Sequence, residues 1–483
     1  MSKFNVKNNI KTTNISWHEA YKMKDKDKLL SQVLTSMFNE DKYYGDNSQD
    51  IIETAKRVIE ADPKFVANLC IYARKEMNLR SVSHALIGEL ARSNIGKNYV
   101  RKTINMSALR VDDMTEILAY YVNSYGKPIP NSIKKGIADV ILGFDEYQLA
   151  KYNRKNEVKL KDIFCLTHPK AKTNEQNDMF KRLLEDKLQT PITWETQLSA
   201  RGNKKEVWEE LIENNKLGYM AMVRNLRNII KSDVKNINKV YEFLSNEQKV
   251  LNNRQLPFRY YSAYKTLKSE GIGTSKVFDS LEMAIKHSTK NISKLSGKTL
   301  ISADVSGSMN MPISRKSEMT CAEIAVLLMS IANYICEETI TTTFDTSLYM
   351  NSLSTQNRII ANANSIKVNG GGTDISLPLK YLLKKKIFVD RIIILSDNEI
   401  NRGYRSVCQT YVEEYKRLVN PKVWVHAIDM QGYGTQQFSG DNVNIISGWS
   451  EKVLDFMNLA EQGIETLRDK IDEHYFKEQV LSA

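Results

Sequence analysis

The chain has 483 residues, of which 42% are hydrophobic and 26% charged, and it carries a formal net charge of +12. At roughly 150 residues per domain, this length allows two to four domains with ample core. No run approaches the roughly 18 apolar residues of a membrane span, and the first residues have no apolar signal region. These observations exclude a membrane protein and lead us to expect a soluble, cytoplasmic one. The five scattered cysteines form no C-x-x-C pair, which fits buried free thiols in a reducing compartment.

The basic excess is concentrated in the first part of the chain. Residues 1–290 hold 49 Lys and Arg against 35 Asp and Glu, residues 291–450 hold 16 against 14, and residues 451–483 hold 4 against 8. A lysine-rich genome would raise the lysine content everywhere, so the unequal distribution is the more informative signal. It favours a polyanion as the partner of residues 1–290.

The first 290 residues are predicted to be helical almost throughout, because apolar residues recur at 3.6-residue spacing in segment after segment. Asp62-Pro63 supplies a helix cap and a first-turn proline. Paired helices that recur every few tens of residues are typical of a solenoid, so we predict a HEAT-like α-helical repeat. The predicted helices are Lys28–Phe38, Ile51–Glu60, Phe65–Met77, Ser83–Arg92, Lys97–Met106, Asp113–Val122, Asn131–Leu142, Lys204–Asn214, Tyr219–Ile230, Val234–Phe243, Pro257–Leu267 and Ser275–Lys290.

A basic segment, KYNRKNEVKLKDIFCLTHPK, occupies residues 151–170. On a helix, Lys151, Arg154 and Lys155 lie about one turn apart and present cations on one face, an arrangement suited to phosphates. The nearby Tyr152 ring offers a surface on which a base can stack. The alternative is a solvated basic face without a ligand.

Beyond residue 298 the pattern changes to alternating strands and helices, which predicts a doubly wound parallel sheet with helices on both faces. The junction near Ile292–Gly297 is short, which favours a fixed placement of the two parts. The predicted strands are Thr299–Ala303, Thr339–Phe344, Arg391–Leu395, Lys422–Ile428 and Asn442–Ile446, and the predicted helices are Glu318–Glu337, Ser376–Lys386, Tyr404–Leu418, Ser450–Leu459 and a charged stretch at Glu461–Ser482.

The stretch TLISADVSGSM at residues 299–309 is predicted to be a buried strand that leads into a metal-binding loop. Asp304, Ser306 and Ser308 form a D-x-S-x-S pattern with an oxygen-bearing side chain at every second position. A hard cation such as Mg²⁺ prefers oxygen ligands and keeps several waters, so one carboxylate and a few hydroxyls suffice. The loop predicts a magnesium site.

Two later stretches supply further ligands. The glycine run at residues 370–372 brings backbone close to a neighbour and then offers the hydroxyl of Thr373. The aliphatic strand RIIILSDNE places Asp397 at its carboxyl end, where open parallel sheets bind their ligands. The predicted metal ligands are Asp304, Ser306, Ser308, Thr373 and Asp397. The alternative is an inherited feature of the fold that holds no metal in use.

Both parts of the chain resemble known families. The metal motif resembles the metal-ion-dependent adhesion site of von Willebrand factor A domains at all five positions. The helical part resembles the TROVE module of the Ro ribonucleoprotein autoantigen and its bacterial relatives, in which a von Willebrand A-like domain follows the module. The segments that carry the TROVE resemblance are DPKFVANLCIYARKEMNLRSVSHALIGELAR, LKDIFCLTHPK, TWETQLSARGNKKEVWEELI, GYMAMVRNLRNI and LPFRYYSAYK.

The resemblance implies a closed, monomeric ring of HEAT-like repeats at residues 1–292 and a von Willebrand A-like domain at residues 293–483. It implies noncoding RNA as the partner, including Y RNA-like duplexes on a basic outer face and misfolded RNA with single-stranded ends in the cavity. It implies an exoribonuclease as a candidate protein partner in RNA quality control, and neither DNA nor a membrane.

The resemblance also implies RNA-contacting residues. Lys151, Lys155 and His168 match positions that contact RNA in the family, and we add Arg154 and Lys170 on charge alone. Where relatives carry arginine, Lys155 keeps the charge and loses the bidentate geometry. For His168, a buried core histidine is the alternative.

Two other functions use the same residues: a metal-dependent protein-adhesion module without an RNA function, and a hydrolase that uses the metal. The metal motifs contain no histidine, no paired carboxylates of acid/base type and no nucleophile beside a base. A metal held mainly by hydroxyls is suited to receiving an acidic ligand from a partner. We therefore predict that the protein is not an enzyme.

Overall fold

A computed structural model describes residues 11–13, 19–22, 24–35, 48–153, 157–313, 319–355, 358–397, 407–431, 435–447, 450–463, 467–468 and 470–472. The chain divides into two compact units. The repeat unit comprises Asp25–Glu40, Asp46–Ile192 and Glu465–Ala483, and the sheet unit comprises Met1–Lys24, Asp41–Gly45 and Thr193–Ile464. The predicted domain boundary between residues 292 and 293 lies inside the sheet unit. The division into domains at this point stays a prediction.

The repeat unit is a stack of helices, as the 3.6-residue spacing predicted. Its helices are α1 (Asp25–Thr35), α2 (Ser48–Ala61), α3 (Pro63–Lys75), α4 (Ser81–Arg92), α5 (Lys97–Ser107), α6 (Val111–Tyr125), α7 (Asn131–Val140), α8 (Glu146–Tyr152), α9 (Leu160–Thr167) and α10 (Asn174–Leu184). Each of α2 to α5 packs against the next helix but one, so that α2, α4 and α6 form one row and α3, α5 and α7 a second. This two-row stack confirms the predicted helical repeat. Closure into a ring stays a prediction.

Side-chain links repeat along the stack at a separation of about one helix pair. Arg101 on α5 donates a bond of 2.7 Å to Asp139 on α7, 38 residues further along. Arg182 on α10 donates a bond of 2.6 Å to Glu146 on α8, 36 residues earlier. The recurrence of this link indicates that successive helix pairs stack in a similar register.

A buried carboxylate joins three helices of the repeat unit. Asp113, at the start of α6, accepts bonds from Arg74 Nη2 on α3 (3.1 Å), from Arg80 Nε just before α4 (2.6 Å) and, at Oδ1, lies 3.0 Å from His84 Nε2 on α4. Burial alone would raise the pKa of Asp113, but the hydrogen bond and charge of His84 and the two guanidinium groups hold that pKa well below its usual range. The ionised carboxylate therefore ties α6 to α3 and α4.

The sheet unit contains two short strands near the start of the chain, then from residue 193 a series of helices, and then an alternation of strands and helices. Its helices are α11 (Trp194–Arg201), α12 (Lys205–Glu213), α13 (Tyr219–Lys231), α14 (Ile237–Ser245), α15 (Glu247–Asn253), α16 (Pro257–Ser269), α17 (Ser275–Ser288), α18 (Cys321–Ile335), α19 (Ile359–Ser365), α20 (Leu377–Lys385), α21 (Val407–Leu418) and α22 (Lys452–Glu461). Its strands are β1 (Lys11–Thr13), β2 (Glu19–Lys22), β3 (Leu295–Asp304), β4 (Cys336–Phe344), β5 (Leu348–Asn351), β6 (Arg391–Ser396), β7 (Trp424–Asp429), β8 (Thr435–Gln436) and β9 (Val443–Ser447).

The main sheet has six strands in the order β5-β4-β3-β6-β7-β9. All neighbours are parallel except β4 and β5. Strands β3, β6 and β7 are largely buried, as expected of parallel strands covered on both faces. Leu300, Ile392 and Val425 lie in the core on one face, together with Leu379 of α20 and Val412 of α21. The parallel sheet predicted from the sequence is confirmed.

Helices α16 and α17, which precede the sheet in the chain, contact helices α18 and α19, which follow β3 and β5. Lys265 on α16 forms an ion pair of 2.7 Å with Glu323 on α18. Glu282 on α17 accepts a bond of 3.0 Å from the N–H of Ile360 on α19. These contacts explain why α11 to α17 belong to the same compact unit as the sheet.

Three features differ from the sequence-based expectations. The edge strand β5 was not predicted. Strands β1 and β2 pair with each other and with β8 in a small antiparallel sheet, so the first 290 residues are not purely helical. Cys165 is exposed, whereas Cys70, Cys321, Cys336 and Cys408 are the predicted buried free thiols.

Within the described ranges, no helix is long and apolar enough to cross a membrane.

Candidate metal centre and nucleic-acid interface

The predicted metal ligands lie where the strand order of the main sheet reverses. From β3 the chain passes to β4 on one side, and it later returns to β6 on the other side of β3. Asp304 ends β3, and Asp397 directly follows β6. In open α/β sheets, the carboxyl ends of strands at such a switch point form a crevice for ligands. The topology therefore brings the two aspartates to a common edge.

The D-x-S-x-S loop folds around the Asp304 carboxylate. The N–H of Ser306 donates to Asp304 Oδ1 at 2.9 Å, and the hydroxyl of Ser396 donates to Oδ2 at 2.6 Å. The hydroxyls of Ser306 and Ser308 lie 3.3 Å apart. Asp304 and Ser306 are buried and Ser308 is half-buried, so three of the five predicted ligands are brought together.

The glycine run explains how Thr373 reaches the same edge. The N–H of Gly307 donates to Gly371 O at 2.8 Å, and the N–H of Gly370 donates to Val305 O at 3.0 Å. Gly370 has a φ of +73°, and a Cβ on Gly371 would lie 3.2 Å from a carboxylate oxygen of the neighbouring β4–β5 turn. These close approaches need residues without a side chain. Thr373 itself is buried.

Asp397 contributes its charge to the site. Burial, and then the negative charge of Asp397, raise the pKa of Asp304 to about 7. Two like charges in a buried site each make ionisation of the other harder, and a cation between them would relieve both effects. The electrostatics of the site therefore favour binding a cation.

The sequence reasoning missed three neighbours of this edge. Asp345 follows β4, is buried and accepts a bond of 2.8 Å from the N–H of Ser347. Asp429 ends β7 and is buried, and burial together with the charges of Asp397 and Asp429 raises the pKa of the Cys321 thiol to about 12. The signal for the two aspartates was available, because each comes directly after an aliphatic or β-branched strand.

The donor set of this edge fits a hard divalent cation. In the part of the chain that the structure describes, no group of three or more His, Cys, Asp and Glu side chains is arranged to hold a metal. The ligands would therefore be two carboxylates supplemented by hydroxyls and water, which suits Mg²⁺ better than Zn²⁺.

The first predicted RNA contact, Lys151, lies on the short helix α8. Helix α8 starts after a capping box at Asp145 and ends at Tyr152, and Asn153 leaves the helical conformation (φ −75°, ψ 75°). The expectation that Lys151, Arg154 and Lys155 share one helix face extends beyond α8 and stays a prediction. Lys151 lies in the last turn of α8 and is half-buried, whereas Arg154 and Lys155 lie outside the described residues.

Aromatic rings surround Lys151. Its Nζ lies 5.7 Å from the ring centre of Tyr152 and 5.9 Å from that of Tyr147, which is 55% exposed. The guanidinium of Arg110 lies 4.9 Å from the Tyr152 ring centre and also pairs with Asp112. One side of Tyr152 is thus occupied, which leaves Tyr147 as the more accessible ring for a base.

His168 and Lys170 are both exposed. His168 ends α9 in the left-handed conformation (φ 46°, ψ 57°), and its N–H donates to Phe164 O at 3.0 Å. The alternative of a buried core histidine is therefore wrong. The structure leaves the imidazole and the Lys170 ammonium accessible to a ligand.

Family comparisons match both parts of the chain. The family model described as the TROVE domain matches residues 27–186 and 181–313, together more than half of the chain. The model described as the Ro60 vWA domain matches residues 298–458. The two matched regions follow the order predicted from the sequence.

The individual proteins that match this chain share little sequence identity with it. Telomerase protein component 1 of Rattus norvegicus is 26% identical over 325 residues, and that of Mus musculus is 26% identical over 303 residues. The matches cover 50% and 45% of this chain but only 12% of each relative. The crystal structure of the Ro (RSR) protein of Deinococcus radiodurans matches with a TM-score of 0.67 at 16% identity, covering 91% of this chain and 99% of that one. This likeness shows a shared fold.

Proposed function

Because the chain belongs to the TROVE family and also carries a Ro60-type von Willebrand A domain, we propose that it is an RNA-binding component of a Ro-type ribonucleoprotein. The observation that carries the proposal is a set of basic and aromatic side chains of the repeat unit inside the matched TROVE region: Tyr147, His168 and Lys170, which are exposed, and Lys151, which is half-buried. Ammonium groups contact phosphates and an exposed ring stacks on a base, so this surface has the chemistry that RNA requires.

The finer part of the proposal concerns the kind of RNA. We propose that the surface binds structured noncoding RNA of the Y RNA type, or misfolded RNA, and that the protein presents it for quality control in the cytoplasm, with an exoribonuclease as a candidate partner. Arg154 and Lys155 would extend the phosphate contacts beyond Lys151. The role proposed is that of a scaffold rather than an enzyme.

We further propose that Asp304, Ser306, Ser308, Thr373 and Asp397 hold a divalent cation, with Mg²⁺ as the best fit. Bound there, the cation would supply positive charge and an open coordination position for an acidic side chain of a protein partner. The protein's own residues hold the carboxylates in place: the Ser396 hydroxyl and the Ser306 N–H orient both oxygens of Asp304. A protein-adhesion role alone is not favoured, because it leaves the basic surface of the repeat unit unexplained.

Sequencing the RNA that co-purifies with the full chain tests this function. We expect enrichment of a small set of structured noncoding RNAs over their abundance in the cell extract. Recovery of bulk RNA in proportion to its abundance, or of no RNA from a folded preparation, would contradict the proposal.

A further inference from the structure

A cavity of about 330 Å³ lies at the edge of the main sheet opposite the candidate metal centre. It is formed where β3, β6 and β7 begin, and we call it the amino-edge cavity. Its lining includes Gly297, Phe388, Asp390, Arg391, Lys422 and Trp424. Its volume is at the lower end of the roughly 300–1,000 Å³ of small-ligand sites, so it offers room for a planar group rather than for a folded element.

Two aromatic rings line the amino-edge cavity. Phe388 is 53% exposed, although phenylalanine side chains are usually buried. The Trp424 ring is stacked on the buried His426 ring, with centroids 5.8 Å apart and planes 9° apart. The tryptophan is thus held in a fixed orientation, and the cavity offers aromatic surface on which a base can stack.

One lysine without a carboxylate partner lines the cavity, and three more lie two to four residues before Phe388 in the sequence. Lys384 and Lys385 end α20, Lys386 follows as its left-handed cap, and Lys422 precedes β7. All four are exposed, and within the described ranges none of their ammonium groups is paired with a carboxylate. The near-balanced charge of residues 291–450 does not reveal these lysines, because acidic residues, including Glu337 and Glu338 at the start of β4, offset them in the count.

The carboxylates of the cavity are already engaged. Asp390 Oδ2 accepts a bond of 2.7 Å from the N–H of Lys298. Glu461 pairs with Arg391 and lies 2.8 Å from His426 Nε2, and the two partners hold its pKa at about 2 although burial alone would raise it. Within the lining, Arg391 and Lys422 are balanced by Asp390 and Glu461, so the excess positive charge near the cavity mouth comes from the unpaired lysines at the end of α20.

We propose that the amino-edge cavity binds single-stranded RNA, with one base entering beside Phe388 and Trp424 and the flanking phosphates contacting Lys384, Lys385 and Lys422. This inference rests on the proposed function for the class of ligand, but it assigns a second contact surface that lies in the von Willebrand A-like domain. An acidic peptide would satisfy the lysines, but it would leave the aromatic cavity without a planar group to fill it.

The test uses the full chain, a fluorescently labelled single-stranded oligouridylate and two pairs of matched variants. Lys385→Glu is compared with Lys367→Glu, which reverses the charge of an exposed lysine at the opposite edge of the sheet. Phe388→Ala is compared with Met350→Ala, because the two side chains are 53% and 54% exposed. We expect each cavity variant to weaken binding about tenfold, since loss of one stacked base or one phosphate contact has effects of this order. The controls should bind as the parent chain does.

Photocrosslinking with a thiouridine-substituted oligonucleotide supplies a second readout that does not depend on stability. We expect crosslinked peptides that contain Phe388 or Trp424. Normal binding by both cavity variants, or competition by polyglutamate with no effect of Phe388→Ala, would overturn the inference. If the parent chain binds RNA and only substitutions near Lys151 weaken it, this inference fails while the proposed function stands. If the parent chain binds no RNA at all, both fail.

Discussion

The hydroxyl of Ser396, the last residue of β6, donates a hydrogen bond of 2.6 Å to Asp304 Oδ2 at the end of β3. This bond links two strands that are 92 residues apart in sequence, at the switch point of the sheet. It also fixes the orientation of the carboxylate that the candidate metal centre depends on. A serine one residue before the predicted ligand Asp397 therefore serves the site without being a predicted ligand itself.

Magnesium should raise the unfolding temperature of the chain through Asp304. A ligand that binds only the folded state stabilises it by mass action. The isosteric change Asp304→Asn keeps the acceptor for the Ser306 N–H and removes the charge, so we expect the magnesium-dependent shift to be lost. Thermal unfolding with magnesium and with a chelator measures this shift, and Lys170→Ala, which changes an exposed lysine of the repeat unit, is the control. An unchanged shift in Asp304→Asn would show that the cation binds elsewhere.

Without a metal, the same carboxylate should make stability depend on pH. Because the folded pKa of Asp304 is raised from 3.8 to about 7, the folded chain binds a proton that the unfolded chain releases between these values. Protonation of Asp304 therefore stabilises the folded chain fully below pH 3.8, and this stabilisation is lost as the pH rises through about 7. Each unit of difference between the folded and unfolded pKa corresponds to roughly 1.4 kcal/mol of unfolding free energy. We expect Asp304→Asn to be more stable than the parent at pH 8 in chelator, with a smaller gain at pH 5. Equal gains at both values would contradict the assignment.

The Asp113 cluster should dominate the stability of the repeat unit. Asp113→Ala leaves Arg74 buried without its carboxylate, and loss of one partner of a buried ion pair costs about 3–5 kcal/mol. Asp139→Ala removes an equivalent partner from the exposed Arg101 and should have a much smaller effect. Denaturant unfolding compares the two variants. Similar losses of unfolding free energy in both variants would show that burial of the Asp113 cluster does not determine how much it stabilises the fold.

Much of the fold could be predicted because its signals are local. Asp62 caps α3 through a 3.0 Å bond from the N–H of Phe65, and Pro63 opens the helix, as the Asp-Pro pair indicated. Strands β3 and β6 could be predicted because both are buried in the sheet and their apolar residues therefore follow one another in the sequence. The antiparallel strand β5 was missed, since LYMN is too short to show a period.

The non-local features could not be predicted. Nothing in the sequence near Glu282 shows that its carboxylate accepts a bond from the N–H of Ile360, 78 residues away. The packing of α17 against α19 could therefore not be predicted. Helix α8, of only seven residues, was not among the predicted helices, because it is too short to show a clear 3.6-residue period. Asp429 was overlooked because the metal motif is complete without it.

RNA binding by the repeat unit should depend on salt. Each phosphate contact contributes about −0.7 to the slope of log affinity against log salt for single strands. Changing Lys151 and Lys170 to alanine should therefore make the slope shallower by about 1.4 in total. Titrations of a labelled hairpin RNA with a single-stranded end at several salt concentrations measure the slope. An unchanged slope in this variant would place the phosphates elsewhere.

The central claim is that RNA is bound by the basic segment of the repeat unit and not through the metal centre. The most direct test measures the affinity of a hairpin RNA with a single-stranded end for two variants of the full chain, Lys151→Ala/Arg154→Ala/Lys155→Ala and Asp304→Asn. We predict that the triple variant binds about tenfold or more weakly while it remains folded, since three cations are removed, and that Asp304→Asn binds as the parent does. Normal binding by the folded triple variant, or a large loss of RNA affinity in folded Asp304→Asn, would contradict the claim.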